Sequence, residues 1–419
     1  VNQYVGMFAK NTNPLFQEKV QDIKDVGHRL LHNLLQREDI APDYAGEIVI
    51  AGELLPSDIV KLSTQHAAGL VMVGSGVTSH ISILARSMEL PVVLINDNRI
   101  FEVAEGSQVL LDAGIGSVFV NPDAEISAKY KESIDSHRTL DEIEEHILPQ
   151  TTTADGTRVR LMANINLLNE LSLADRFKAE GIGLYRSEFP FIVRSGFPSE
   201  EEQLRIYRTL VEHMNGRPIT LRTLDIGGDK MLSYFPSVDE ANPFLGLRAL
   251  RFTLRNKDIF VQQLRAMLRA GAGADFAIMF PMVSSLDEFL QARDIVHECS
   301  SELREQGVDF NPNPRLGPMI ELPSAVEIAD ELAHEADFLC IGTNDLVQYV
   351  LAVDRTNKHI SEFYVPYHPA VLRSLKRIAD AGARHGTPVS VSGEMAGDPK
   401  MLPFLIGIGL RALSMDLRM

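Results

Sequence analysis

Two cysteines, Cys299 and Cys340, are all that the 419-residue chain contains. That is too few for a disulfide framework or a structural zinc site, and it suits a reducing compartment. Basic charge is also short: 40 Lys and Arg stand against 57 Asp and Glu, a formal net charge of −17. A general binder of DNA or RNA carries a basic surplus, so nucleic acid is not expected as the main partner. No apolar run approaches the roughly 18 residues that a membrane-spanning helix needs. The opening residues, with Lys10 the first charged side chain, lack the basic-then-apolar order of a leader peptide. A cytoplasmic protein without stable membrane insertion is the expectation. With 29 Gly, 21 Pro, 45% hydrophobic and 23% charged residues, collagen-like, mucin-like and mainly disordered chains are excluded. At roughly 100–200 residues per domain, the length predicts two or three domains with real cores.

What is present changes scale along the chain. Val20, Ile23, Val26, Leu30, Leu31, Leu34 and Leu35 recur at three- and four-residue spacings, which predicts a helix from about residue 15 to 36. Short apolar strands follow at 46–50, 69–73, 90–95 and 107–111, with helix-like SDIVKLS and TSHISILARSM between them. That alternation predicts a compact α/β domain over residues 38–122. The charged run of residues 124–147 reads as a helical linker, within 123–151, that either joins moving bodies or is simply solvated. Beyond it, strands are expected at 159–165, 181–186, 218–225, 276–283, 317–322, 337–342, 388–393 and 412–415, most of them separated by helix-like segments. Eight such units over residues 152–419 fit a (β/α)8 barrel of the TIM type. A doubly wound open sheet is the alternative, and the count of eight favours the barrel.

Polar residues gather at the ends of these strands. Arg186 and Glu188 follow the second, Arg222, Asp225, Asp229 and Lys230 the third, and Glu321 the fifth. Asn344 and Asp345 follow the sixth, and Ser392, Glu394 and Asp398 the seventh. In a barrel these ends converge on one mouth, where active sites form. Glu321 and Asp345 can supply oxygen ligands to Mg²⁺, and Arg186, Arg222 and Arg355 suit a phosphate through the guanidinium fork. Any one of them fits a surface salt bridge equally well; the set points to a small phosphate-bearing anion with Mg²⁺. In the small domain, Thr78 and Ser79 can cap a helix starting near His80, where a phosphoryl group would meet free N–H groups. Histidine can accept such a group, although an isolated histidine at a helix start is more often structural.

The strings GVTSHISILARS, GIGLYRSEF, LRTLDIGGDK, NPFLGLRALR, IELPSAV, GTNDLVQYVLAVDR and SGEMAGDP resemble the enzyme I family of the bacterial phosphotransferase system. These are phosphoenolpyruvate–protein phosphotransferases, within the phosphoenolpyruvate-utilising enzymes. The resemblance runs from about Val20 to the last residue. It implies that His80 takes the phosphoryl group of phosphoenolpyruvate and hands it to HPr, a small phosphocarrier protein. It further implies that Arg186, Arg222, Asn344 and Arg355 hold the substrate phosphate and that Glu321 and Asp345 bind Mg²⁺. Arg248 and Lys230 would be outer members of the site. Family chains are homodimers through the barrel, their small domain swings, and they serve sugar transport or a nitrogen-related regulatory branch. Residues 1–37 would be the trailing helix of an HPr-binding helical domain, and the family's last barrel helix would lie past Met419.

One position departs. The family has Cys-Gly-Glu-Met-Ala-Gly-Asp where this chain has Ser392-Gly-Glu-Met-Ala-Gly-Asp398. The family cysteine is thought to protonate the enolpyruvate carbon, so Ser392 is expected to hydrogen-bond that intermediate but to serve poorly as its acid. Cys340, inside the sixth strand, is expected in the core, and Cys299 on an outer helix; neither is placed as a stand-in. The alternatives are a fragment of the phosphoenolpyruvate synthase or pyruvate phosphate dikinase type, and a slowed or non-catalytic sensing relative.

Overall fold

The computed structural model describes residues 43–123 and 147–417, except 53, 55, 74–84, 86, 87, 89, 96, 114, 115, 193, 195, 228–233, 235–239, 241, 356 and 358. The helix expected over 15–36, the segment around His80, Lys230 and the linker over 124–146 lie outside the described residues. The chain divides into two compact units, with the main break between Glu142 and Ile143.

In the first unit, β1 (Ile48–Ala51), β2 (Gly69–Val73) and β3 (Val92–Ile95) form a parallel sheet in that order. The central strand, GLVMV, is buried along its whole length, as a strand covered on both faces must be. Helix α1 (Pro56–Thr64), between β1 and β2, buries Ile59 and Leu62, three residues apart on one face. A hairpin of β4 (Val109–Asp112) and β5 (Ser117–Val120) completes the unit. The sequence reading lacked β5, whose apolar stretch is only Val-Phe-Val.

The second unit settles the choice between barrel and open sheet. Its main strands are β7 (Arg158–Ile165), β8 (Ile182–Arg186), β9 (Ile219–Arg222), β10 (Phe276–Phe280), β11 (Arg315–Ile320), β12 (Leu339–Gly342), β13 (Val389–Ser392) and β14 (Ala412–Asp416). Each pairs in parallel with the next, and β14 pairs with β7 from Ala412↔Arg160 to Asp416↔Asn164. An open sheet would leave both as edges; this pairing closes the ring. A two-residue β6 (Thr151–Thr152) adds antiparallel to the start of β7. All eight expected strands are present. The fourth stops at Phe280 rather than 283, because Met282 takes a positive φ of 56° that no strand accommodates.

Helices fill the outside. Helix α2 (Glu200–Met214) starts on a Ser199–Glu202 capping box, and α3 (Lys257–Ala270) and α4 (Leu286–Glu305) follow β9 and β10. Strand alternation sorts the side chains into two layers. Outward residues such as Phe280 meet the helices, its ring standing edge-on to Phe260 of α3 at 6.2 Å and Phe289 of α4 at 6.1 Å. Leu184, Ala277, Met279, Met319 and Cys340, all on strands, form with Phe338 a separate buried cluster. Arg186 and Glu321 lie two residues beyond Leu184 and Met319, so polar groups stand above an apolar floor.

Phe280→Ala is expected to destabilise the barrel unit by about 3–5 kcal/mol, since it empties the contact of one strand with two helices. Leu148→Ser, at a side chain 71% exposed, should change stability by less than about 0.5 kcal/mol. Urea unfolding followed by circular dichroism checks both; equal midpoints would remove the aromatic contact as a barrel support.

Candidate active site at the barrel mouth

Arg222 closes β9 and is 5% exposed. Its Nη2 donates to Glu188 Oε1 and lies 3.1 Å from Asp225 Oδ2, while Nη1 rests 3.9 Å from Met319 Sδ on the floor. Among the described residues its buried Nε has no partner. Burial by itself would lower the pKa of this guanidinium, but Glu188, Asp225 and Glu321 outweigh it and hold the group charged.

Arg248 is buried between two carboxylates. Its Nε and Nη2 reach Asp225 at 3.0 and 3.2 Å, Nη2 reaches Asp345 Oδ2 at 3.2 Å, and Nη1 donates to the Tyr349 hydroxyl at 3.0 Å. Arg248 thus joins Asp225, three residues past β9, to Asp345 of α5 (Thr343–Leu351). The next residue, Ala249, has φ 51° and ψ −122°, a conformation that costs free energy in any residue with a Cβ. Its N–H donates to Ile226 O at 2.9 Å, fastening the strained turn beside Asp225.

Glu321, just past β11, is 1% exposed and accepts a 2.6 Å hydrogen bond from the Met282 N–H. The positive φ of Met282 therefore has a local consequence: it accompanies an N–H aimed at this carboxylate. Burial pushes the Glu321 pKa up to about 8, and Asp345 and Asp225 add to the rise. Glu188, Asp225, Glu321 and Asp345 are four buried acids against the two buried arginines Arg222 and Arg248. The cluster is short of positive charge. Among the described residues no group of three or more His, Cys, Asp or Glu is arranged as a ready metal site. A magnesium ion needs only one or two carboxylates, taking its other oxygens from substrate and water, so Glu321 and Asp345 fit that donor set and the missing charge.

Asn344 and Ser392 are held next to this cluster. Asn344 Oδ1 accepts from the Glu394 N–H at 3.0 Å and Nδ2 donates to Glu394 Oε1 at 3.2 Å. The Thr343 hydroxyl donates to Ser392 O at 2.9 Å. The intervening Gly393 has φ 104°, and a Cβ there would lie 2.4 Å from Thr343 Oγ1 and 2.8 Å from Asn344 Oδ1. Only glycine permits both the turn and the close approach. Arg186 pairs in register with Arg222 across β8 and β9, and its Nη1 donates to Asn166 Oδ1 at 2.8 Å. Arg355 is half-buried on the turn after α5, with its N–H on Gln348 Oε1 at 3.1 Å; among the described residues no ion pair fixes its guanidinium.

The sequence reading therefore names residues that the fold gathers: Arg222, Arg248, Glu321 and Asp345 directly, Asn344 and Ser392 through the α5–β13 connection, and Arg186 on the adjoining strand. It assigned no role to Asp225, which ties the two arginines together. It missed Asn164, 2% exposed on β7, whose Oδ1 accepts from Ser414 at 2.6 Å and whose Nδ2 is unpartnered. An asparagine within the apolar run of VRLMANI was the available signal.

The chain is similar to known proteins along nearly its whole length. The description "PEP-utilising enzyme, PEP-binding domain" matches residues 141–419, and "PEP-utilising enzyme, mobile domain" matches residues 43–116. The chain is 42% identical over 416 residues to the phosphoenolpyruvate-protein phosphotransferase of Geobacillus stearothermophilus, covering 99% of this chain and 72% of that protein. It is 41% identical to the protein of the same description in Listeria monocytogenes serovar 1/2a and 40% identical to that of Staphylococcus carnosus, covering 99% of this chain and 73% of each relative.

The raised pKa of Glu321 has a signed consequence. Between its unfolded value and about 8 the folded state holds a proton that the unfolded state has released. Stability from this group is thus greatest below the unfolded pKa and falls as pH rises, by up to about 1.4 kcal/mol for each pH unit crossed. Wild-type stability is expected to drop from pH 5.5 to pH 8 without added cation, and Glu321→Gln should flatten that drop. Urea unfolding across this range checks it; parallel wild-type and variant curves would contradict the assignment.

Proposed function

The chain belongs to the phosphoenolpyruvate–protein phosphotransferase family, and we propose that it moves the phosphoryl group of phosphoenolpyruvate onto His80 and then to an HPr-like phosphocarrier, releasing pyruvate. In this reading residues 38–122 carry the phosphohistidine and residues 152–419 bind the substrate, with 123–151 as linker. The observation that carries it is the charged Arg222, buried at the end of β9 near Glu321, its Nε unpartnered among the described residues. A desolvated guanidinium with an unused donor is an unfilled anion contact.

The chemistry follows from the charges. The reacting phosphate and the carboxylate of phosphoenolpyruvate bring negative charge to a mouth already rich in acid. Arg186, Arg222 and Arg355 face the phosphate oxygens, Asn344 donates a further hydrogen bond, and Lys230 and Arg248 support them. Mg²⁺ on Glu321 and Asp345, when bound, neutralises substrate oxygens and the excess carboxylate charge. His80 then attacks phosphorus in line as the enolate oxygen departs. Because Arg222 is held by Glu188 and Asp225 before substrate arrives, little reorganisation is needed during transfer.

A homodimer through the barrel is consistent with Phe363, Val365 and Tyr367, which are 58, 39 and 42% exposed on that unit. Cytoplasmic work in sugar transport fits the two free cysteines. Among the described residues, no helix is long and apolar enough to cross a membrane.

After incubation with phosphoenolpyruvate and Mg²⁺, mass spectrometry is expected to find an acid-labile phosphate on His80, absent from His80→Ala. Arg222→Lys should lower kcat/KM by about 10²–10³-fold, because lysine cannot reproduce the buried fork. Label on another residue, or full efficiency in Arg222→Lys, would overturn these assignments.

A further inference from the structure

Loss of its phosphoryl group leaves phosphoenolpyruvate as an enolate whose C3 carbon must gain a proton to become pyruvate. Ser392, at the mouth end of β13, is the wrong acid for that step by itself. Its surroundings supply what it lacks. Cys340 lies one strand over on β12, where the register pairs Cys340 with Ser390 and Gly342 with Ser392. The Cys340 thiol donates to Ser392 Oγ at 3.5 Å, and the Ser392 hydroxyl donates to Ile341 O at 3.4 Å. Both side chains are almost fully buried, at 1 and 2% exposure. Cys340 belongs to the floor cluster with Met319 and Met279, beneath the level of Arg222 and Glu321.

Resting on the function proposed above, we propose that Cys340 is the proton source behind Ser392, so that a thiol–hydroxyl pair replaces a single acid at the mouth. The Ser392 hydroxyl turns from Ile341 O to the substrate carbon. Its O–H bond breaks as the C3–H bond forms and the enolate oxygen becomes the C2 carbonyl. The same oxygen takes the proton of the Cys340 S–H bond, leaving a thiolate. After pyruvate departs, water returns a proton along the reverse path.

Three features favour this arrangement. The parallel register of β12 and β13 holds the thiol and the hydroxyl 3.5 Å apart, so the donor already points at the group it serves. The position across from Ser392 is Gly342, where a Cβ would lie 2.7 Å from Glu321 Oε2 and 2.9 Å from Met319 Sδ, so no side chain can come between the pair and the acids. Among the described residues, two neighbouring hydroxyls are engaged elsewhere, that of Tyr349 donating to Phe244 O at 2.6 Å and that of Tyr364 to Asn344 O at 3.1 Å, while Glu321 would hold the cation. Sequence spacing placed Cys340 in the core, which is right, but not beside Ser392.

By microscopic reversibility, the same pair with Cys340 as thiolate removes a proton from pyruvate, the Ser392 oxygen taking it from C3 as its own proton passes to sulfur. The full chain with Mg²⁺ and pyruvate in deuterated water should therefore exchange the methyl hydrogens, read by proton NMR. Cys340→Ala, Cys340→Ser and Ser392→Ala are each expected to slow exchange about 10²-fold or more, the usual size of a general-acid effect. Phosphoryl uptake from phosphoenolpyruvate should stay at the wild-type level in both Cys340 variants. Ser392→Cys added to Cys340→Ala should restore exchange, because the thiol then meets the carbon directly. Exchange within about twofold of wild type in both Cys340 variants, or none in wild type, would overturn the proposal. So would loss of phosphoryl uptake together with exchange, which marks a merely structural role. Wild-type exchange without phosphoryl uptake would instead sink the proposed function and leave the pair standing.

Discussion

Asp225 holds both Arg222 and Arg248, at 3.1 and 3.0 Å, with 1% of its own surface exposed. Each ion here has left water, and desolvation of that kind costs several kcal/mol per group unless partners return it. Asp225 returns part of it to both arginines, while Glu188 and Asp345 return more. The network also spans sequence: it draws the ends of β9 and α5 to the strained turn at Ala249. Without it, the guanidinium forks would have no fixed direction. With it, the mouth carries oriented charges over an apolar floor, where electrostatic interactions are strongest.

The same network explains why the mouth wants further positive charge. Among the described residues two buried arginines stand against four buried acids, and burial, with Asp345 and Asp225 adding to it, pushes the Glu321 pKa up to about 8. A protonated carboxyl is the cheaper state only while nothing better is present. A divalent ion shared with a phosphate would displace that proton, so cation and substrate are expected to favour each other's binding. The carboxylate excess and the arginine pair are thus one design, in which neither half is neutral alone.

Much of this could be read from sequence because the barrel writes a repetitive signal. Eight buried apolar strands at long spacing are visible one by one, and charged residues that end them stand out against apolar runs. Arg222 and Glu321 were legible for that reason. β5 was not, since three apolar residues between turns do not distinguish a strand from a loop. The early end of β10 at Phe280 depends on the φ of Met282, which a methionine does not advertise. The role of Asp225 depends on Arg248, a partner 23 positions away across an irregular connection. Spacing arguments see one strand at a time; these features belong to pairs.

Ser392 illustrates the difference. Considered alone, serine where the resemblance implies a cysteine would remove an acid and leave a polar group of similar size. In the closed sheet its neighbour is fixed by register: β12 and β13 run parallel with Gly342 opposite Ser392, so Cys340 stands one inward-facing position lower on the adjacent strand. Inward positions recur every two residues, which makes Ser390, Ser392, Cys340 and Gly342 a single patch of four. Two of the four are hydroxyls, one is a thiol, and the glycine opens the space between them and Glu321. A change at one member is therefore read against three others. A thiol one position below the mouth and a hydroxyl at the mouth keep the same chemical inventory that a single thiol at the mouth would supply, with one hydrogen bond added to the proton's route.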